Sequence, residues 1–165
     1  MTKSTKLFLG LGILGMLLLA AAIIIIPTLF VPHHRPPHSP NSRCANNLKS
    51  LYNGLFIYQA EYGEYPDGQG SALWQTIRTK TDILKNMDNV FVCPFTKKQP
   101  QPGICHYRGP NYPVTDEVDG KTPLGADLPN NHPDGTIHVL YINGMVELVK
   151  PGTPEWERAE KYLTK

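Results

Sequence analysis

Thr136-Ile-His-Val-Leu-Tyr-Ile142, then Asn143-Gly144, then Met145-Val-Glu-Leu-Val-Lys150 is the stretch on which the fold turns. Asn-Gly is the pair best suited to a two-residue type I′ turn, because both central residues of that turn need positive φ. With such a turn, Tyr141 faces Val146 and Val139 faces Leu148 across an antiparallel ladder. Ile137, Val139, Tyr141, Val146 and Leu148 then share one face, assigned to the core. His138, Leu140, Ile142, Met145 and Glu147 take the other.

Working outward, Thr153-Pro154 opens a terminal helix, with the hydroxyl as cap, proline in the first turn and a stripe of Trp156, Ala159 and Leu163. On the other side, Asn130-Asn-His-Pro-Asp-Gly135 supplies the turn into the hairpin. Residues 96–131 are dense in Pro, Gly and Asp and read as irregular, with a short strand around His106-Tyr-Arg. Asn89-Val-Phe-Val-Cys93 reads as a strand stopped by Pro94, preceded by one turn over Ile83 to Met87. Ser71 caps a helix running to about Thr79, with Leu73, Trp74 and Ile77 inward. Cys44 to Gly63 reads as the longest helix of this part. Asn41 or Ser42 caps it, Gly63 ends it, and Leu48, Leu51, Tyr52, Leu55, Tyr58 and Tyr62 recur at three- and four-residue spacing. Helices beside a small antiparallel sheet define an α+β class.

The first 31 residues differ from all of this. Leu7 to Val31 carry no charge, and Thr28 is their only hydroxyl-bearing side chain. That length exceeds the roughly 30 Å of a bilayer's hydrocarbon. Lys3 and Lys6 precede it and no acid occurs before Glu61, so the N-terminus is expected in the cytoplasm and the rest outside. Ala20-Ala-Ala22 offers a signal-peptidase site, but Ile23 to Ile26 prolong the apolar run, which favours an uncleaved anchor bounded by Leu7 and Val31 and containing Pro27. Pro32 to Arg43 holds four prolines and reads as an extended spacer without helix, with His33, His34 and His38 solvated. The expected division is therefore 1–31 stub and anchor, 32–43 linker, 44–150 globular domain and 151–165 terminal helix.

Charge and motifs narrow the chemistry. The chain holds 16 basic and 14 acidic residues, and Lys3 with Lys6 account for the whole excess. A neutral exported domain gives nucleic acid no footing. No nucleophile elbow, His-Glu-x-x-His, phosphate loop or calcium-hand loop occurs. The residues before Cys105-His106 do not supply the first cysteine of a haem-attachment motif. Three cysteines on the oxidising side predict one disulfide. Cys93–Cys105 is the preferred pairing, with Cys44–Cys93, tying a helix start to a strand end, as the alternative. A zinc set of Cys93, Cys105, His106 and His132 matches no paired-ligand spacing. Asp116, Glu117, Asp119 and Asp127 concentrate acid in the irregular region, so Asp116, Asp119 and Asp127 are the candidate calcium ligands. An enzyme would need His132 or His138 close to a carboxylate.

Three motifs in order carry a resemblance. Cys44-Ala-Asn-Asn-Leu-Lys-Ser-Leu-Tyr-Asn-Gly-Leu55 leads to Tyr65-Pro66. Phe91-Val-Cys-Pro94 follows, and His132-Pro-Asp-Gly135 precedes Val139-Leu-Tyr-Ile-Asn-Gly-Met-Val146. Over residues 44–150 this resembles type II secretion pseudopilin-like proteins, in particular the planctomycete-type subgroup with a Cys-x-Asn-Asn-Leu-Lys helix, a Cys-Pro strand end and a His…Asp-Gly hairpin. Asn143 stands where that subgroup has Asp, and the spacing from His132 to the turn is one residue longer. Ala21-Ala-Ile-Ile-Ile-Ile-Pro27 is similar to the end of a pilin stalk. The peptidase junction, expected at Thr5-Lys6, and the assembly glutamate, expected at Gly10, are both missing. The resemblance implies a pseudopilin-like head with one long helix on a small sheet, carried on a permanent tether in a bacterial inner membrane. It implies a non-enzymatic structural or interaction role with protein partners of a secretion or pilus-like assembly, including copies of itself. A loop calcium site is the family's alternative.

Overall fold

The computed structural model describes residues 39–165; the 7–31 anchor and the linker up to residue 38 lie outside the described residues. Its class is α+β: three helices and one five-stranded antiparallel sheet. Among the described residues no helix is long and apolar enough to cross a membrane.

Helix α1 spans Pro40–Tyr62. It starts four residues before the expected point, inside the stretch expected to exclude helix. Proline there occupies the first helical position, where a missing N–H costs nothing, and Ser39 caps it by accepting from Ser42 N at 3.2 Å. Gly63, at φ 77°, closes the helix by donating to Gln59 O at 2.8 Å. Cys44, Leu48, Leu51 and Leu55 form its buried stripe, whereas Tyr58 and Tyr62 stack on each other at 4.4 Å along the outer side. Helix α2 spans Ser71–Lys80 and buries Leu73, Trp74 and Ile77; Gly70, and not Ser71, is its capping position. The expected strand at 89–93 is instead a 3₁₀ turn, Asp88–Phe91. Its buried apolar run reads the same in either form, and its link to the chain before β1 is one bond, His106 N donating to Phe91 O at 2.8 Å.

The strands are β1 Tyr107–Pro110, β2 Pro123–Asp127, β3 Ile137–Tyr141, β4 Val146–Val149 and β5 Leu163–Thr164, in spatial order β4-β3-β2-β1-β5. Helix α3, Pro154–Tyr162, has Thr153 as its cap, accepting from Trp156 N at 3.4 Å. Strand β2 was hidden inside the region read as irregular. Its Pro-Leu-Gly-Ala-Asp composition has little strand propensity, yet it is central and wholly buried. Gly125 explains this choice, since a Cβ there would lie 2.8 Å from Trp74 Cζ2 and 3.2 Å from Arg108 O.

The hairpin forms, but one residue out of the expected register. Val139 pairs with Glu147 and Leu140 with Val146. Tyr141 accepts from Gly144 N at 2.9 Å and donates to Met145 O at 2.9 Å, so Ile142-Asn143-Gly144 makes a three-residue loop with Gly144 left-handed at φ 80°. A one-residue shift turns a whole strand over. Leu148 is thus exposed, and Val149 is buried in its place.

The sheet is covered on both faces, which is why β3 is buried at every position. Leu124 and Leu140 face α1 and α2; Ala126, Ile137, Val139, Tyr141 and Val149 pack with Ala159 and Leu163 on the opposite side. Close approach of the layers is tested at Gly109, where an added Cβ would fall on the Gly70 carbonyl. Gly109→Ala should lower unfolding free energy by about 1–3 kcal/mol in urea titrations, as overpacking does; an unchanged midpoint would contradict this packing.

Candidate functional site

Five chemically capable side chains converge where the N-terminal part of α1 meets the sheet. Cys44 comes from the second turn of α1, Cys93 from the residue before Pro94, and Asp127 from the end of β2. His132 comes from the β2–β3 loop and His138 from β3. Pairing of Ala126 with Val139 sets Asp127 beside His138. Cys44, Cys93 and Asp127 are 0 % exposed, His132 3 % and His138 5 %.

Asp127 Oδ2 is the centre. His138 donates to it from the backbone N at 2.8 Å and from Nδ1 at 3.0 Å. His132 Nε2 also lies 3.0 Å from this oxygen, but off the line of a hydrogen bond, so Nε2 and Asp127 Oδ1 both remain without a hydrogen-bond partner. On the other edge of the ring, His132 Nδ1 is 3.3 Å from Thr136 Oγ1, and that hydroxyl donates to Asp134 Oδ1 at 2.8 Å. Phe95 covers His132 at 4.4 Å between ring centroids. The Cys44 and Cys93 sulfurs are 3.0 Å apart, both as free thiols. Asn47, one turn beyond Cys44, donates to Asn89 O, Val92 O and the Tyr107 hydroxyl, holding α1 to this end of the sheet.

Electrostatics follow from burial. Desolvation opposes the charge on Asp127, but the His132 imidazole beside it and the two bonds from His138 hold its carboxyl below the usual range. Desolvation also opposes charge on His132, and Asp127 with Cys93 outweighs it, raising the imidazole to about 9. The bond to Cys93 and burial drive the Cys44 thiol upward, and the same bond brings Cys93 down.

The expected sites redistribute. Of the three proposed calcium ligands only Asp127 belongs here. Asp116 is exposed and accepts from the Tyr65 hydroxyl at 2.9 Å, and Asp119 accepts from Lys121 N at 2.6 Å. Asp116 and Asp119 are exposed, whereas Asp127 ends a buried central strand, and among the described residues neither joins its cluster of candidate ligand atoms. The sulfur facing Cys93 is that of Cys44 and not of Cys105. Cys105 lies against Tyr107 O at 3.5 Å, and burial raises its thiol to about 11. His106 contacts Thr96 Oγ1 at 3.2 Å and, among the described residues, is not part of the candidate ligand group that contains His132. His138, placed on the outer face by the expected register, is a core residue of the site. Asn143 and Gly144 occupy the turn as expected.

Chemically the cluster offers sulfur, imidazole and carboxylate donors. It also holds the close histidine–carboxylate pair an enzyme would need. Its nucleophile, however, is closed off, since neither cysteine reaches solvent. No known family profile matches the chain, and no curated protein or solved structure is significantly similar to it.

Removing the shared acceptor should expose its weight in the fold. Asp127→Ala should cost about 3–5 kcal/mol, the usual cost of orphaning partners of a buried ion pair. Asp116→Ala should cost less than about 1 kcal/mol. Urea denaturation of the two variants side by side checks this; similar losses would contradict the central place of Asp127.

Proposed function

We infer that this domain is a non-enzymatic structural or interaction head, pseudopilin-like in its organisation, tethered to a bacterial inner membrane by residues 7–31. The observation that carries the reading is the burial of the chemically capable side chains: Cys44, Cys93 and Asp127 are wholly shielded, so no substrate meets them. A site closed in this way acts on the fold that contains it. Three motifs of the head also support the reading, namely a long helix opened by Cys44-Ala-Asn-Asn-Leu-Lys, a Cys93-Pro94 pair on its flank and a C-terminal hairpin. The calcium alternative is less supported, because Asp116 and Asp119 are exposed while Asp127 is buried in the sulfur and imidazole cluster.

The tether argument rests on sequence. The apolar segment precedes Pro40, so the head is held by the N-terminal end of its longest helix, and the absent peptidase junction and glutamate favour a lasting anchor over a filament stalk. Lys3 and Lys6 keep the N-terminus cytoplasmic, which places the head in the periplasm. Exposed apolar residues left for protein partners include Phe56 and Tyr62 on α1 and Met145 and Leu148 at the β4 edge.

Photo-crosslinkers at positions 56 and 148 of the full chain in native membranes should give discrete adducts larger than the monomer. Protease added to spheroplasts should digest the head and spare the N-terminal stub. Monomer alone at both crosslinking positions would overturn the interaction role, and a protected head would overturn the topology.

A further inference from the structure

We propose that Cys44, Asp127, His132 and His138 form a closed binding site for a thiophilic divalent transition metal of the zinc class. Their candidate donor atoms lie within 4.8 Å of one another and all four residues are buried. The argument begins at His132. The Thr136 hydroxyl spends its proton on the Asp134 carboxylate, so toward His132 Nδ1 it can only accept. Nδ1 therefore carries the ring proton, and in the neutral imidazole the lone pair is on Nε2. Nε2, bearing that lone pair, lies 3.0 Å from the anionic Asp127 Oδ2, a repulsive contact unless a positive centre lies beside both atoms. A proton is one such centre, but the N–H direction misses the oxygen and leaves Nε2 without a hydrogen bond. A metal ion beside both atoms needs no such line.

The donor set fits this reading. Donors at about 2.0–2.3 Å around tetrahedral zinc sit some 3.3–3.8 Å apart, so the two 3.0 Å nitrogen–oxygen separations would widen and the longest, at most 4.8 Å, would close by about 1 Å, with the metal taking the place of the His138 Nδ1 proton. One thiolate and one carboxylate supply two negative charges, which a divalent cation cancels inside a dry core; this balance removes most of the cost of burying either. Sulfur and two imidazoles select zinc-class metals over calcium or magnesium. Thr136 and Asp134 then serve as the outer chain that fixes the His132 ring, as metal-bound histidines commonly require. Cys93, 3.0 Å from Cys44, is the competitor: oxidation of both thiols to a disulfide, with loss of two protons and two electrons to an external oxidant, would consume the sulfur donor.

The test uses the full chain in detergent, purified with a thiol trap and then freed of metal by chelation under reductant. Cobalt(II) should bind once per chain and give tetrahedral visible bands with a sulfur-to-cobalt charge-transfer band, and zinc should displace it. Cys44→Ser should keep its far-ultraviolet circular dichroism but lose the charge-transfer band, whereas Cys105→Ser should change neither. Thr136→Val, which leaves all four donors in place, should weaken zinc binding by about 10- to 100-fold. Absence of the cobalt spectrum, a charge-transfer band that survives Cys44→Ser, or trapped native protein lighter by two hydrogens with Cys44 and Cys93 joined in one peptide pair would each overturn the proposal.

Discussion

A single carboxylate oxygen, Asp127 Oδ2, ties the molecule together. It accepts two bonds from His138 and lies against His132, and it is fully shielded from water. A buried carboxylate without partners would be heavily destabilising, so the groups that compensate it must stay where they are. Those groups lie on β3 and the β2–β3 loop, and the cysteines of α1 and of the Pro94 corner pack beside them. Elements already packed through the apolar core are thereby also held by a polar centre whose geometry tolerates little movement.

The same centre explains which strand is central. Strand β2 lacks the branched and aromatic residues that usually announce a core strand, and its proline occupies the first position, where no ladder donor is lost. What selects Gly125 and Ala126 is the closeness of neighbours on both sides, Trp74 and Arg108 O against the first and the α3 layer against the second. Trp74 donates its indole N–H to Arg108 O at 2.9 Å, so the same tryptophan that demands glycine in β2 also fixes β1. Small residues here are a consequence of packing from both faces, and no period of two can express that.

Legibility followed locality. Helix α1, helix α3 and the hairpin were readable because caps, periodic leucines and Asn143-Gly144 act within a few residues. The hairpin register was not, because Gly144 alone takes the left-handed position, and the loop takes Ile142 as a third member. That one residue decides whether Leu148 or Val149 enters the core. The start of α1 is hidden because four prolines in 32–43 argue against helix, whereas Pro40 sits at the first helical position, where proline is favoured. The site itself was barely legible. Asp127 and His132 stand out in the sequence for different ions, Cys93 joins His132 only in a set with Cys105 and His106, and Cys44 and His138 reach them through helix packing and sheet pairing. No spacing along the chain encodes a cluster drawn from five separate places.

Position gives the cluster its mechanical meaning. Cys44 lies in the second turn of α1, and Asn47, one turn on, bonds to two backbone carbonyls and the Tyr107 hydroxyl. Any load carried by the chain preceding Pro40 therefore enters the head next to its most tightly specified polar contacts. Helix ends fray first when they rest only on solvent-exposed backbone bonds. Here the first two turns are backed by a buried sulfur and a three-way amide, so peeling α1 from the sheet requires breaking the centre itself. Under the proposed tether, load would enter where this polar anchorage is strongest, away from the exposed apolar side chains of the β4 edge and the outer face of α1.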